Sequence, residues 1–154
     1  MAGVVGFPDP VDEVSARLVA AGVVALVAAT IALDQPWLIG LIAYGFVARV
    51  VTGPTLSPLG QLVTKVVRPR LAVDARPVPG PPKRFAQAMG ATFSLTAAVL
   101  ALFGQVEAAY VVLGMLATAA FLEAALALCL GCRIFAMLMR LGLIPASACE
   151  RCAW

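Results

Sequence analysis

The stretch FAQAMGATFSLTAAVLALF, running from Phe85 to Phe103, decides the fold. It holds no charged residue and matches the roughly 20 residues a helix needs to cross the hydrocarbon core of a bilayer. No water is available there for its peptide groups, so such a run must be helical. Gly104 to Glu107 then reads as a tight loop, and Ala108 to about Leu128 as a further apolar run with one charge, Glu123. On the N-terminal side, Ser15 to Leu33 carries only Arg17, whose long stem lets the guanidinium snorkel to the interface. A turn at Asp34-Gln35-Pro36 leads into Trp37 to Val51, interrupted only by Arg49, with Pro36 and Trp37 suited to a helix start at the interface. The expectation is one all-α membrane domain, a transmembrane bundle with spans at about 15–33, 37–51, 85–103 and 108–128. The second span is short, and so tilted or irregular.

Composition agrees. The 154 residues are 62% hydrophobic and 12% charged, with a mean hydropathy of +1.00, far from a soluble domain. The net charge of +3 is too small and too unevenly placed for nucleic acid, which calls for a basic stripe interleaved with stacking aromatics; the bilayer is the expected partner. There is no histidine, which removes the commonest general base, proton shuttle and metal ligand together. Asp9, Asp12 and Glu13 stand where a cleavable signal would carry Lys or Arg, so the first span is expected to stay attached.

Between the hydrophobic halves lies a basic connector, residues 52–84. Thr52-Gly53-Pro54 and Ser57-Pro58 break the second helix. Leu59 to Val67, with Gln61 and Lys65 on its polar side, is expected to lie along the membrane surface. Arg68-Pro69-Arg70 and the run from Arg76 to Arg84 are stiff and proline-rich. None of the 11 basic residues falls in the loops at Asp34-Gln35-Pro36 or Gly104–Glu107. The positive-inside rule therefore places both termini and the connector in the cytoplasm of a multi-pass cell-membrane protein. Small residues recur every fourth position at Ala86, Gly90, Ser94 and Ala98 and at Ala21, Ala25 and Ala29, stripes that read as close helix packing.

The chemistry concentrates in the cytoplasmic end, 129–154. Cys129-x-x-Cys132 and Cys149-x-x-Cys152 are separated by 16 residues. Cysteines three apart at a helix end bring their sulfurs to one side, close enough for a disulfide or shared metal ligation. One reading is redox. Arg133 and Arg151 adjoin the pairs and favour thiolates, and one pair could pass a disulfide or a sulfane sulfur to the other; this needs no cofactor. A second is a structural zinc site in which Cys129, Cys132, Cys149 and Cys152 form a complete tetrahedral set. In a third, Cys129 and Cys132 are inert small apolar residues of a helix. Between the pairs, Arg133 to Leu143 reads as an amphipathic helix with Ile134, Met137, Leu138 and Leu141 on one side, ending before Pro145.

Glu123 lies six residues before Cys129, where an ionised carboxylate is expensive and needs a partner or a proton. Arg49 approaches a comparable depth, so the two are expected to pair. A functional alternative makes Glu123 the proton acceptor for Cys129 or Cys132. Tyr44 and Thr118 could add hydrogen bonds in the core.

Gly53-Pro54-x-x-Ser57-Pro58-Leu59, Gly80-Pro81-Pro82-Lys83-Arg84-Phe85-Ala86-Gln87, and Cys129-Leu130-Gly131-Cys132 leading to Ile144-Pro145 together resemble a bacterial family of small four-span membrane proteins known only as domain of unknown function 4395. The resemblance covers nearly the whole chain and implies that all four cysteines match the family's cysteine pairs. It also implies thiol or sulfur chemistry beside thioredoxin-like or rhodanese-like proteins. The favoured expectation is thiol-disulfide or persulfide exchange with a soluble cytoplasmic partner, with Cys129 or Cys132 attacking, its neighbour resolving, and Cys149 with Cys152 relaying. The competing expectation is a membrane scaffold clamped by zinc. A small transporter or channel ranks third, because Glu123 and Arg49 are the only buried charges expected and no inverted repeat is evident.

Overall fold

The computed structural model of the chain describes residues 11–52, 57–72, 74, 77–78 and 80–145. Among these the chain is mostly helical. Helix α1 is Glu13–Ala32, α2 Trp37–Thr52, α3 Pro58–Leu62, α4 Arg68–Arg70, α5 Gly80–Leu102, α6 Val106–Leu126 and α7 Leu130–Arg140, with a π-helical stretch Val63–Val67 joining α3 to α4. Two short strands, β1 (Val11–Asp12) and β2 (Pro77–Val78), pair antiparallel, Val11 opposite Val78, and tie the start of α1 to the connector. Helices α1, α5 and α6 are long and apolar enough to cross a membrane, whereas α2 is a shorter apolar helix of 16 residues, about 24 Å long at 1.5 Å per residue. Within the three long windows only 28%, 22% and 17% of residues are buried in the protein. The apolar remainder faces outward, as lipid-exposed helices require.

Helix α5 is the hub, packing on α2, α6 and α7, while α1 packs chiefly on α6. The small residues of α5 explain this. A Cβ at Gly90 would fall 2.2 Å from the Phe46 ring of α2, and Ser94 and Ala97 are wholly buried. On α1 the Ala21, Ala25 and Ala29 stripe faces away from the seam, which is made instead by Val19, Ala20, Val23, Val27 and Thr30. Span hydroxyls bond their own helices, Thr30 to the Leu26 carbonyl at 2.7 Å and Ser94 to that of Gly90 at 2.8 Å, the arrangement open to a hydroxyl without water. Tyr44 and Thr118 are exposed, and Thr118 bonds Gly114 of its own helix, so neither joins the core.

The helices alternate in direction. At one end Arg17 of α1 donates to the Ala124 carbonyl oxygen at the close of α6, through Nε (3.1 Å) and Nη2 (2.9 Å), and Arg84 of α5 donates to the Val50 carbonyl near the close of α2 at 3.0 Å. Arginines thus satisfy carbonyls that helix termini leave unpaired. At the opposite end Tyr110 donates to Asp34 at 2.6 Å.

One expectation needs correcting, and two further segments show where they pack. The lead-in to span three is not connector: Gly80 to Arg84 form the first turn of α5, because prolines are tolerated where a helix leaves its N–H groups unpaired. The segment from Ser57 packs against α1 and α2. Ser57 is wholly buried, and Leu59 seats against Gly22, where a Cβ would come within 2.5 Å of its side chain. Finally, α7 buries Gly131 and Phe135, with Phe85 and Met139 packed on the latter, while Met137 and Leu141 are exposed. The helix is amphipathic as expected, and within its apolar face Gly131 and Phe135 make the docking contacts.

Candidate functional site

Helix α6 ends at a left-handed turn: Ala127 has φ +55°, and the Leu128 N–H reaches back to the Leu122 carbonyl at 3.2 Å, a common way for a helix to stop. The chain reverses and Cys129 becomes the N-cap of α7. Its Sγ accepts the backbone N–H of Cys132 at 3.3 Å. The pair therefore straddles the start of a helix, where peptide N–H groups and the macrodipole favour a thiolate. Close packing holds it there: a Cβ on Gly131 would lie 2.5 Å from both Cα and Cβ of Ala86 in α5, and the Phe135 ring meets Phe85 with centroids 5.7 Å apart.

The two thiols are free and differ in character. Cys129 is buried and Cys132 partly exposed. The Cys129 thiol is held below its usual range, first by the hydrogen bond from the Cys132 thiol and then by the Lys83 ammonium, against the opposing effects of burial and Glu123. The same thiol-thiol hydrogen bond, followed by burial and the Cys129 charge, pushes Cys132 up. The arrangement favours the thiolate form at Cys129 and the thiol form at Cys132.

Glu123 has a partner, but it is not Arg49. It forms a buried ion pair with Lys83, which the helical start of α5 brings beside the cysteines. Arg49 instead donates to Gln87 Oε1 at 3.0 Å and Ser57 Oγ at 2.8 Å and lies 4.6 Å from the Phe46 ring centroid; among the described residues it has no carboxylate partner. Sequence reasoning missed Lys83 because it assigned that residue to a solvated connector. The signal was present in Pro81-Pro82, which suits a first helical turn and so places a lysine one turn into the bundle.

Cys129 and Glu123 also line a cavity of about 270 Å³ that is bounded by α1, α2, α5, α6 and the start of α7 and open on one side. Its walls are apolar, with Phe46, Phe93, Met89 and Met115 among them, and Gln87 is a further polar side chain lining it. Cys132 does not line this cavity. It lines a groove on the other side of α7 with Arg133, Met137 and Arg140. Cys149 and Cys152 lie outside the described residues; among the described residues no cluster of three or more His, Cys, Asp or Glu side chains is placed to hold a metal.

A family model described as Domain of unknown function (DUF4395) matches residues 11–140. No curated protein and no solved structure matches the chain.

Proposed function

The chain belongs to the DUF4395 family, a domain of unknown function, and on that premise we propose that its activity resides in the Cys129–Cys132 pair, as a membrane-held dithiol exchanging disulfide or persulfide sulfur with a soluble cytoplasmic partner. The observation that carries the reading is the capping of α7 by Cys129, which stabilises that sulfur as an anion while leaving Cys132 toward the outside. In the disulfide form a partner thiolate attacks the accessible Cys132 sulfur. The Cys129–Cys132 bond breaks, a Cys132–partner disulfide forms, and Cys129 departs with the electron pair as a thiolate, the better leaving group of the two. A second partner thiol then displaces Cys132, which leaves with a proton, and the partner is oxidised. With a partner persulfide the reduced pair is the acceptor: a cysteine thiolate attacks the outer sulfane sulfur, a cysteine persulfide forms, the partner's S–S bond breaks and the partner departs as its thiolate. The groove beside Cys132, with Arg133 and Arg140, suits an acidic approach surface. Cys149 and Cys152 would relay equivalents to the first pair.

The same reading has α2 crossing with α1, α5 and α6, so that four passes carry the cysteine end and both termini to the cytoplasm. Every described basic residue belongs to that end, and the opposite end offers Asp34 and Glu107, which supports this orientation.

The test is a thiol and metal count on protein purified anaerobically in detergent, beside a Cys149→Ser/Cys152→Ser variant. The proposal expects Cys129 and Cys132 to oxidise and re-reduce together in a glutathione redox buffer in both proteins, without metal. One zinc per chain, lost in the variant, would replace it with the scaffold reading. An impermeant maleimide should label no cysteine on intact cells and should label them once the membrane is opened; labelling of intact cells overturns the orientation.

A further inference from the structure

A dithiol that oxidises partners must itself be reoxidised, and Cys129 is turned away from the aqueous groove toward the cavity inside the bundle. Three features of that cavity define an occupant. Its walls are apolar, so it takes a molecule that partitions into the bilayer. At about 270 Å³ it sits near the lower end of ligand sites, enough for a ring-sized head group. Met115 and Leu130, both lining it, are exposed on the outside of the bundle, so a tail can leave sideways into lipid. Its polar equipment is equally specific. Arg49 can only donate, so the oxygen of the Gln87 amide is occupied by Arg49, and the amide nitrogen is what Gln87 can offer the cavity. The cavity therefore presents a donor for a carbonyl oxygen, a sulfur nucleophile and the Glu123 carboxylate, which is ion-paired to Lys83.

We propose that the cavity binds the head group of a membrane-dissolved quinone, which takes the electron pair of the Cys129–Cys132 dithiol. This rests on the dithiol reading above. The Cys129 thiolate adds to the quinone ring, forming a carbon-sulfur bond. Cys132 attacks the Cys129 sulfur, making the disulfide and breaking the carbon-sulfur bond, whose electron pair returns to the ring. The Cys132 proton and one proton from water complete the quinol. Two electrons leave sulfur and two O–H bonds are made. Glu123, ion-paired to Lys83 beside both sulfurs, passes the Cys132 proton to the ring oxygen.

The experiment uses the full chain carrying Cys149→Ser/Cys152→Ser, reduced, in lipid nanodiscs without oxygen. Its two oxidants are a short-tailed, fully ring-substituted benzoquinone and, separately, oxidised glutathione. The expected result is saturable formation of one quinol for each pair of thiols lost. Ala120→Leu, which fills the cavity from α6, should raise the half-saturating quinone concentration about tenfold through overpacking. If oxidised glutathione closes the disulfide and the quinone does not, the quinone site is overturned and the dithiol reading stands. If neither oxidant closes it, the dithiol reading itself falls. Quinol formation that does not saturate, or thiol loss without quinol, means surface reaction and overturns the site. These outcomes are read on the unsubstituted cavity, so they stand even if Ala120→Leu fails to fold.

Discussion

Lys83 and Glu123 form an ion pair across the seam between α5 and α6, with side chains only 9% and 15% exposed. A pair this buried offsets a large desolvation cost, so removing one member leaves an unpaired charge inside. Glu123→Gln or Lys83→Met should each cost about 3–5 kcal/mol, whereas Lys83→Met with Glu123→Leu should recover most of that loss. Thermal unfolding in detergent decides it, and a double variant no more stable than the singles would show that the pair is not what holds the seam.

Gly131 has no room for a side chain. Gly131→Ala would press a methyl group onto the Ala86 backbone, lifting the first turn of α7 at a cost of about 1–3 kcal/mol. Cys129 caps that turn, so thiol alkylation at Cys129 and Cys132 should accelerate in the same variant. Unchanged stability and unchanged alkylation would mean α7 is not clamped there.

The cysteine pair should leave a two-sided signature in the stability of the reduced protein. Cys129 is lowered relative to the unfolded chain, so its contribution is present above the ordinary thiol value of about 8.5 and is lost as pH falls through its lower folded value. Cys132 is raised, so its contribution is present below that ordinary value and is lost as pH rises. The sum peaks near the ordinary thiol value and declines on both sides. Denaturant titrations across pH should show this maximum, and Cys132→Ala, which removes the dominant cause of both shifts, should flatten it.

Among the described residues Arg17 has no carboxylate partner; it holds carbonyls of α6. Arg17→Met should cost about 1–2 kcal/mol, the worth of hydrogen bonds to a charged donor, and Arg17→Lys, with a single charged head and no planar fork, should recover only part. Equal stability of Arg17→Lys and the native protein would indicate that charge alone matters.

The long spans were legible because the bilayer admits few sequences: the run from Phe85 to Phe103 has no charge to place elsewhere. The cysteine pair stood out by spacing alone. Less could be read at the ends of elements, where chemistry and packing compete. Pro81 and Pro82 look like breakers but begin α5, and that difference moves Lys83 from solvent to Glu123. Arg49 seemed destined for a carboxylate, yet Ser57 and Gln87, from the segment after α2 and from α5, reach it first, a meeting of distant residues that no local pattern encodes. Helix α7 was legible as amphipathic, though which residues of its apolar face dock, Gly131 and Phe135, was not.

The order of helices around the bundle bears on how the chain is made. Helices α1 and α2 leave the ribosome first but touch each other far less than α1 touches α6 or α2 touches α5. The first hairpin therefore has few of its final neighbours until the second half has been inserted. A nascent chain stopped after the basic connector would hold an Arg49 without Gln87 and an Arg17 without the α6 carbonyls. Such a half-product should be a substrate for membrane quality control, and assembly should be late and all at once instead of stepwise.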